Sequence, residues 1–217
     1  GAILAFTDFG ELYLIQGLIY IGVIWTTTRI RTKSEPSTKA KTSMFTELGQ
    51  GFKATSNDRT ILYVLVLSLV IFIWGVPYQS VFIPLLATDE LGIGRSGGAQ
   101  LVAVTGMGAL VGSLTIATIG SSIRSRGIIM LSFICVFSVA LIVLANAPTV
   151  LVAIPALLVS GAMQTSYMSV AHAYVLGRAE PEFHGRIMSL FGLDRGLVPL
   201  GAFLGGLFAE LVGPQLG

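Results

Sequence analysis

The chain has 217 residues, 53% hydrophobic and 11% charged, with a mean hydropathy of +0.83 and a formal net charge of +2. A soluble domain of this size carries about 25% charged residues, so this composition excludes a water-facing globular surface, and with it a nucleic-acid-binding module. The single cysteine, Cys135, excludes an intrachain disulfide and a multi-cysteine metal site; it lies within an apolar run, where a packed, inert thiol is expected.

The first apolar run, Leu12 to Trp25, is short for a membrane span and becomes long enough when extended back to about Ala5, with Asp8 and Glu11 at one end. Gly1 opens the chain and no charged segment precedes the run, so nothing reads as a cleavable leader and the chain reads as a piece of a longer protein. A basic linker follows, Arg29 to Arg59. Its first part, RIRTKSEPSTKAKTS, is polar; its second, MFTELGQGFKATSNDRT, spaces Met44, Phe45, Leu48 and Phe52 as a helix does. That segment is expected to lie on the headgroups, held by its cations. Five further runs come next: Thr60 to Ala87, Gly97 to Ile119, Ile128 to Ala145, Val150 to Val175 and Ile187 to Val212. Each is long enough to cross a hydrocarbon core of ~30 Å, which needs about 20 helical residues. Continuous apolar runs exclude a closed barrel of short alternating strands. The expected fold is therefore an all-α membrane protein with six transmembrane helices, organised as a first span (1–28), the linker (29–59) and a five-span bundle (60–217).

Orientation follows from the cations, because Lys and Arg stay in cytoplasmic loops. Arg29, Arg31, Lys33, Lys39, Lys41, Lys53, Arg59, Arg124, Arg126, Arg178 and Arg186 all fall on one side, which is assigned to the cytoplasm. Arg95 falls on the other, and Arg195 lies within a span. Small residues recur four apart at Gly108 and Gly112, Ala109 and Ser113, Gly201 and Gly205, and Ala202 and Gly206, a spacing that marks close helix packing.

Polar residues inside the spans are the candidate site. In the second span, Trp74, Gly75, Pro77, Tyr78, Gln79 and Pro84 place two prolines around a polar pair. Proline frees backbone carbonyls from helix bonding, and such interrupted helices line cavities in membrane carriers. Tyr78 and Gln79 are equally compatible with a cavity wall and with an aromatic belt at the headgroups. In the fifth span Gln164, Tyr167 and Tyr174 share one helical face with Ala171; Gln164 and Tyr167 are read as cavity-lining and Tyr174 as interfacial. His172, close to the inner end, is read as hydrogen-bonded to a neighbour. Asp194 and Arg195 lie deeper: Asp194 is ~12 Å along the helix from Arg186 at 1.5 Å per residue. An isolated charge there costs at least ~2.5 kcal/mol. Asp194 is either a protonatable coupling group tuned by Arg195 or the local partner of an Arg195 that snorkels to the headgroups.

WGVPYQSVFIPLLATDELGIGRSGGAQL, GMGALVGSL and EFHGRIMSLFGLDRGLVPLGAFLGGLFAELVG, together with the basic linker, resemble the C-terminal half of the major facilitator superfamily, and specifically the prokaryotic exporters that include enterobactin and macrolide efflux proteins. The resemblance implies spans six to eleven of twelve, with the last span missing. It also implies a proton-coupled secondary transporter in the cell inner (plasma) membrane, exporting small molecules by alternating access. The family's cytoplasmic signature, G-x-x-x-D-[RK]-x-G, is replaced here by GSSIRSRG from Gly120 to Gly127, with Arg124 at the aspartate position; Arg124, Arg126 and Gly127 still fit a tight, basic inside turn. This departure leaves room for a sensor or scaffold that kept the fold without transport. A nucleotide-driven pump is disfavoured because no G-x-x-x-x-G-K-[ST] occurs, and an enzyme because no H-E-x-x-H does. No cofactor or metal is expected. The expected partners are the lipid bilayer, a small-molecule substrate and protons.

Overall fold

A computed structural model describes residues 9–29, 58–180 and 183–212; within them, the side chains of 9–12, 15, 121, 186, 193–195, 208, 209, 211 and 212 lie outside the description. Every described element is helical. The headgroup helix expected around Met44 to Phe52, the carboxylate Asp8 and the side chain of Glu11 lie outside the described residues. The chain divides into two compact units, Gly1–Ser43 and Met44–Gly217.

The first unit contributes α1 (Phe9–Arg29). Leu18, Ile19, Tyr20 and Ile21, successive and all exposed, make it apolar on all sides, as a helix surrounded by hydrocarbon is. Its end is polar but internally satisfied: the Thr27 hydroxyl donates to the Val23 carbonyl at 2.7 Å, and the Arg29 guanidinium sits 5.1 Å over the Trp25 ring.

The second unit holds five helices that are long and apolar enough to cross a membrane: α2 (Arg59–Glu90), α3 (Gly94–Ile119), α4 (Arg126–Ala145), α5 (Val150–Arg178) and α6 (His184–Val212), whose span is Ile187–Leu207. Short turns join them. At the α2–α3 turn Gly92 and Gly94 take φ of 60° and 68°, left-handed values that disfavour any residue with a Cβ.

α2 is broken along its length. It is α-helical over Arg59–Val70, widens to a π turn at Ile71–Gly75, tightens to a 3-10 turn at Val76–Gln79, then resumes at Phe82–Leu85 and ends in a second π turn, Leu86–Glu90. Pro77 is the physical cause at the centre. It has no N–H to give the Ile73 carbonyl four residues back, and its ring crowds that carbonyl. Gly201 of α6 comes up against this same carbonyl; a Cβ there would collide with it and with Pro77 Cγ at 2.8 Å.

α3 and α5 approach backbone to backbone. A Cβ at Gly108 would come within 2.8 Å of the Leu158 carbonyl carbon, one at Gly112 within 2.8 Å of Ala162 Cα, and one at Gly161 within 3.0 Å of the Thr105 carbonyl carbon. Ser166 fastens the seam by donating to the Gly112 carbonyl at 3.3 Å. The expected packing pair Gly108 and Gly112 is thus used, and so is Gly201, whereas Gly206 has nothing within 4 Å of its Cβ position. The expectation of a packed Cys135 is corrected: the thiol is exposed, because Phe137 and Ala140 instead face the core and leave Cys135 on the outer side of α4.

Two buried clusters stack along the helices. One gathers Tyr78, Ile83, Leu101, Phe137, Leu144, Ala153 and Leu157; the other gathers Ile61, Val64, Ile71, Met130, Tyr167, Val175, Ile187 and Phe191. Polar side chains occupy the seam between them.

Candidate functional site

The seam is built where the broken part of α2 meets the middle of α5. Gln164 is the central residue of the 29 in α5, and Ser160 lies one turn away on the same face. From α2, the 3-10 turn presents Tyr78 and Gln79. The Tyr78 ring is 3% exposed and meets Phe137 edge-on, with centroids 5.8 Å apart. Trp74, in contrast, is 59% exposed. The belt reading therefore does not apply to Tyr78, which lies in the core.

The hydrogen bonds run in one direction. Ser160 donates its only proton to the Leu157 carbonyl at 3.0 Å, so at its 3.2 Å contact with Tyr78 the tyrosine hydroxyl is the donor. The Tyr78 oxygen in turn accepts from Gln79 Nε2 at 3.3 Å. That same amide nitrogen donates to Gln164 Oε1 at 3.2 Å. The two glutamines are half-buried. Gln79 Oε1 and Gln164 Nε2 have no partner among the described residues, so the seam retains one acceptor and one amide donor side by side, which together match a ligand group that both donates and accepts.

Tyr167 is placed elsewhere. It is 1% exposed, and its hydroxyl meets Ser68 Oγ at 3.0 Å in a second α2–α5 clasp. Tyr78, Gln79 and Gln164 are brought together; Tyr167 lies one layer away. His172 packs edge-on against Phe191 with ring centroids 4.5 Å apart. Asp194 and Arg195 fall within α6, and their side chains lie outside the described residues.

A separate pocket of about 370 Å³ opens at the basic end of the bundle, lined by Arg124, Arg126, Gly127, Tyr174, Gly177 and Arg178. The loop motif supplies Arg124, Arg126 and Gly127, while Gly120 stays in the 3-10 turn Gly120–Ser122 that precedes them. Beside the pocket, Arg178 Nε donates to Asp58 Oδ2 at 2.5 Å, tying the end of α5 to the start of α2. Asp58 also caps α2 by accepting from the Thr60 N–H at 2.9 Å. The Arg178 guanidinium foremost, and the Thr60 amide with it, hold the Asp58 carboxyl below the usual carboxylate range.

Sequence reasoning missed Ser68, Ser160 and the Asp58–Arg178 pair. Ser160 carried a detectable signal, being four residues before Gln164 and so on its face. Ser68 and the ion pair carried none, since each depends on which helices become neighbours.

Five membrane-length helices, one broken at a proline and carrying polar side chains at mid-depth, form the architecture of a multi-pass transporter. No curated protein and no solved structure matches the chain at significance. The transmembrane secretion effector family matches residues 1–215, and the chain belongs to this family of major facilitator superfamily transporters.

Proposed function

We propose that the protein is a secondary active transporter of the inner (plasma) membrane that exports small molecules by alternating access, with protons as the coupling ion. The observation that carries this reading is the Tyr78–Gln79–Gln164 chain at the break of α2, with Gln79 Oε1 and Gln164 Nε2 left for a ligand. Substrate would bind there through a group that both donates and accepts, such as an amide, a hydroxyl or a lactone-bearing polyol. Tyr167, clasped to Ser68, would act by holding α2 and α5 in register. Asp194 would take up and release the coupling proton, with Arg195, its neighbour in sequence, as the charged group beside it.

The test is transport by the natural full-length chain in proteoliposomes. Flux driven by a pH gradient is expected, and Asp194→Asn is expected to abolish it while leaving substrate counterflow. Undiminished gradient-driven flux in Asp194→Asn would remove the coupling role. A second reading, a sensor or scaffold on the same fold, is favoured by Arg124 at the signature's aspartate position; it predicts ligand binding with no flux.

A further inference from the structure

The export reading makes no use of the pocket at the basic end. Its volume of about 370 Å³ falls within the range of about 300–1,000 Å³ typical of ligand sites. Three of its six lining residues are arginines. Asp58 is the one carboxylate joined to them among the described residues, and it engages Arg178 alone. Three guanidiniums against one carboxylate leave two positive charges in excess. Arg124 and Arg126 have no anionic partner among the described residues, so their donors face the pocket uncompensated.

The walls suit a compact, multiply charged anion. A guanidinium fork matches phosphate oxygens two at a time, and a phosphate presents more than two oxygens, in more than one plane, to two such forks, where a carboxylate presents two. Tyr174 adds a hydroxyl beside Arg178. Gly127 and Gly177 keep the walls low: nothing lies within 4 Å of a Cβ at Gly127, and at Gly177 the nearest atom is Arg126 Nη1 at 3.8 Å. Asp58 fixes the Nε of Arg178 beside the pocket, which Arg178 also lines.

We propose that this pocket binds a phosphate-bearing anion, seated between Arg124 and Arg126 and flanked by Tyr174 and Arg178. The chemistry is shared by free phosphate and by the headgroup of an anionic phospholipid. The site would join the α3–α4 loop to the end of α5 through the anion, in the place where the family signature has a carboxylate.

The test uses the purified natural full-length chain. Inorganic phosphate is titrated calorimetrically in neutral detergent, and in a second arm nanodiscs of phosphatidylcholine with rising phosphatidylglycerol are examined by native mass spectrometry for retained lipid. Binding in the first arm assigns the site to the free anion; retention of phosphatidylglycerol without phosphate binding assigns it to a headgroup. In either case the Arg124→Gln/Arg126→Gln variant is expected to weaken binding by at least about tenfold, the equivalent of one charged hydrogen bond. Arg124→Lys/Arg126→Lys, which keeps the charge and loses the fork, is expected to fall between the two. If the glutamine variant fails to fold, the lysine variant decides: affinity equal to wild type overturns the proposal and a reduced affinity supports it. The proposal is also overturned if the wild type binds neither phosphate nor phosphatidylglycerol in preference to phosphatidylcholine, or if a folded glutamine variant binds as well as wild type.

Discussion

Removing the contact between Gln79 and Gln164 separates a substrate site from a structural clasp. Gln164→Leu deletes the oxygen that accepts from Gln79 Nε2 at 3.2 Å, while Gln79 keeps its bond to Tyr78. One hydrogen bond between membrane helices contributes ~0.6 kcal/mol on average, and leaving its donor partly unsatisfied adds a penalty of about 1 kcal/mol at half-buried depth. Gln79→Leu should cost a similar ~1.5 kcal/mol. Gln79→Leu/Gln164→Leu removes both partners at once, so its cost should fall short of the sum by about 0.5–1 kcal/mol. Denaturant unfolding in detergent measures these three values. Transport should behave differently. A substrate that uses Gln79 Oε1 and Gln164 Nε2 loses a contact in either single variant, raising KM about tenfold for ~1.4 kcal/mol, and the double variant should lose both contacts despite its milder stability cost. If the coupling energy appears in unfolding while the double variant keeps wild-type KM, the pair is structural and the site reasoning fails.

Gly161→Val would drive a side chain into the Thr105 carbonyl across the α3–α5 seam; overpacking costs typically ~1–3 kcal/mol, and the midpoint of unfolding should fall, whereas the same change at Gly206, which faces open space, should cost less than ~1 kcal/mol. Tyr167→Phe removes the hydroxyl that meets Ser68 and should lower stability by about 0.6 kcal/mol with KM unchanged, distinguishing a clasp from a substrate contact. Asp58 has a folded-state acidity stronger than that of an ordinary carboxylate (~3.9), set first by Arg178. Its stabilising contribution is therefore complete above the ordinary carboxylate value and is lost as pH falls through the lower folded value. Asp58→Asn should flatten the acid limb of a stability–pH profile below about pH 4; an unchanged limb would show that the pair contributes nothing.

The spans were legible because a bilayer imposes a simple demand, about 20 apolar residues per crossing, and runs such as Gly97 to Ile119 and Ile128 to Ala145 meet it without ambiguity. Helix ends were less so: α2 continues past Ala87 to Glu90 and α5 past Val175 to Arg178, since polar residues at an interface extend a helix as readily as they end one. The prolines pointed to a break in α2, yet its form decided what the sequence could not. In a regular α-helix Trp74 and Tyr78, four apart, would share a face. The π and 3-10 turns around Gly75 change the rotation per residue, and so Trp74 is turned outward while Tyr78 enters the core. Cys135 was misplaced for a related reason, because a uniformly apolar run does not say which of its faces packs. Ser160 stood out only by sharing a face with Gln164, and Ser68 not at all; the tyrosine partners of both lie more than 80 residues away in sequence.

Alternating exposure of the seam is the claim on which the transport reading stands. In the natural full-length chain with every cysteine replaced, Cys135→Ser among them, Gln164→Cys places one thiol at the centre of α5, and a membrane-impermeant thiosulfonate reagent can be applied from either side of reconstituted, oriented vesicles. A carrier that opens in turn to each face predicts labelling from both sides, slowed in both cases by bound substrate. Labelling from one side only, or from neither, would contradict it.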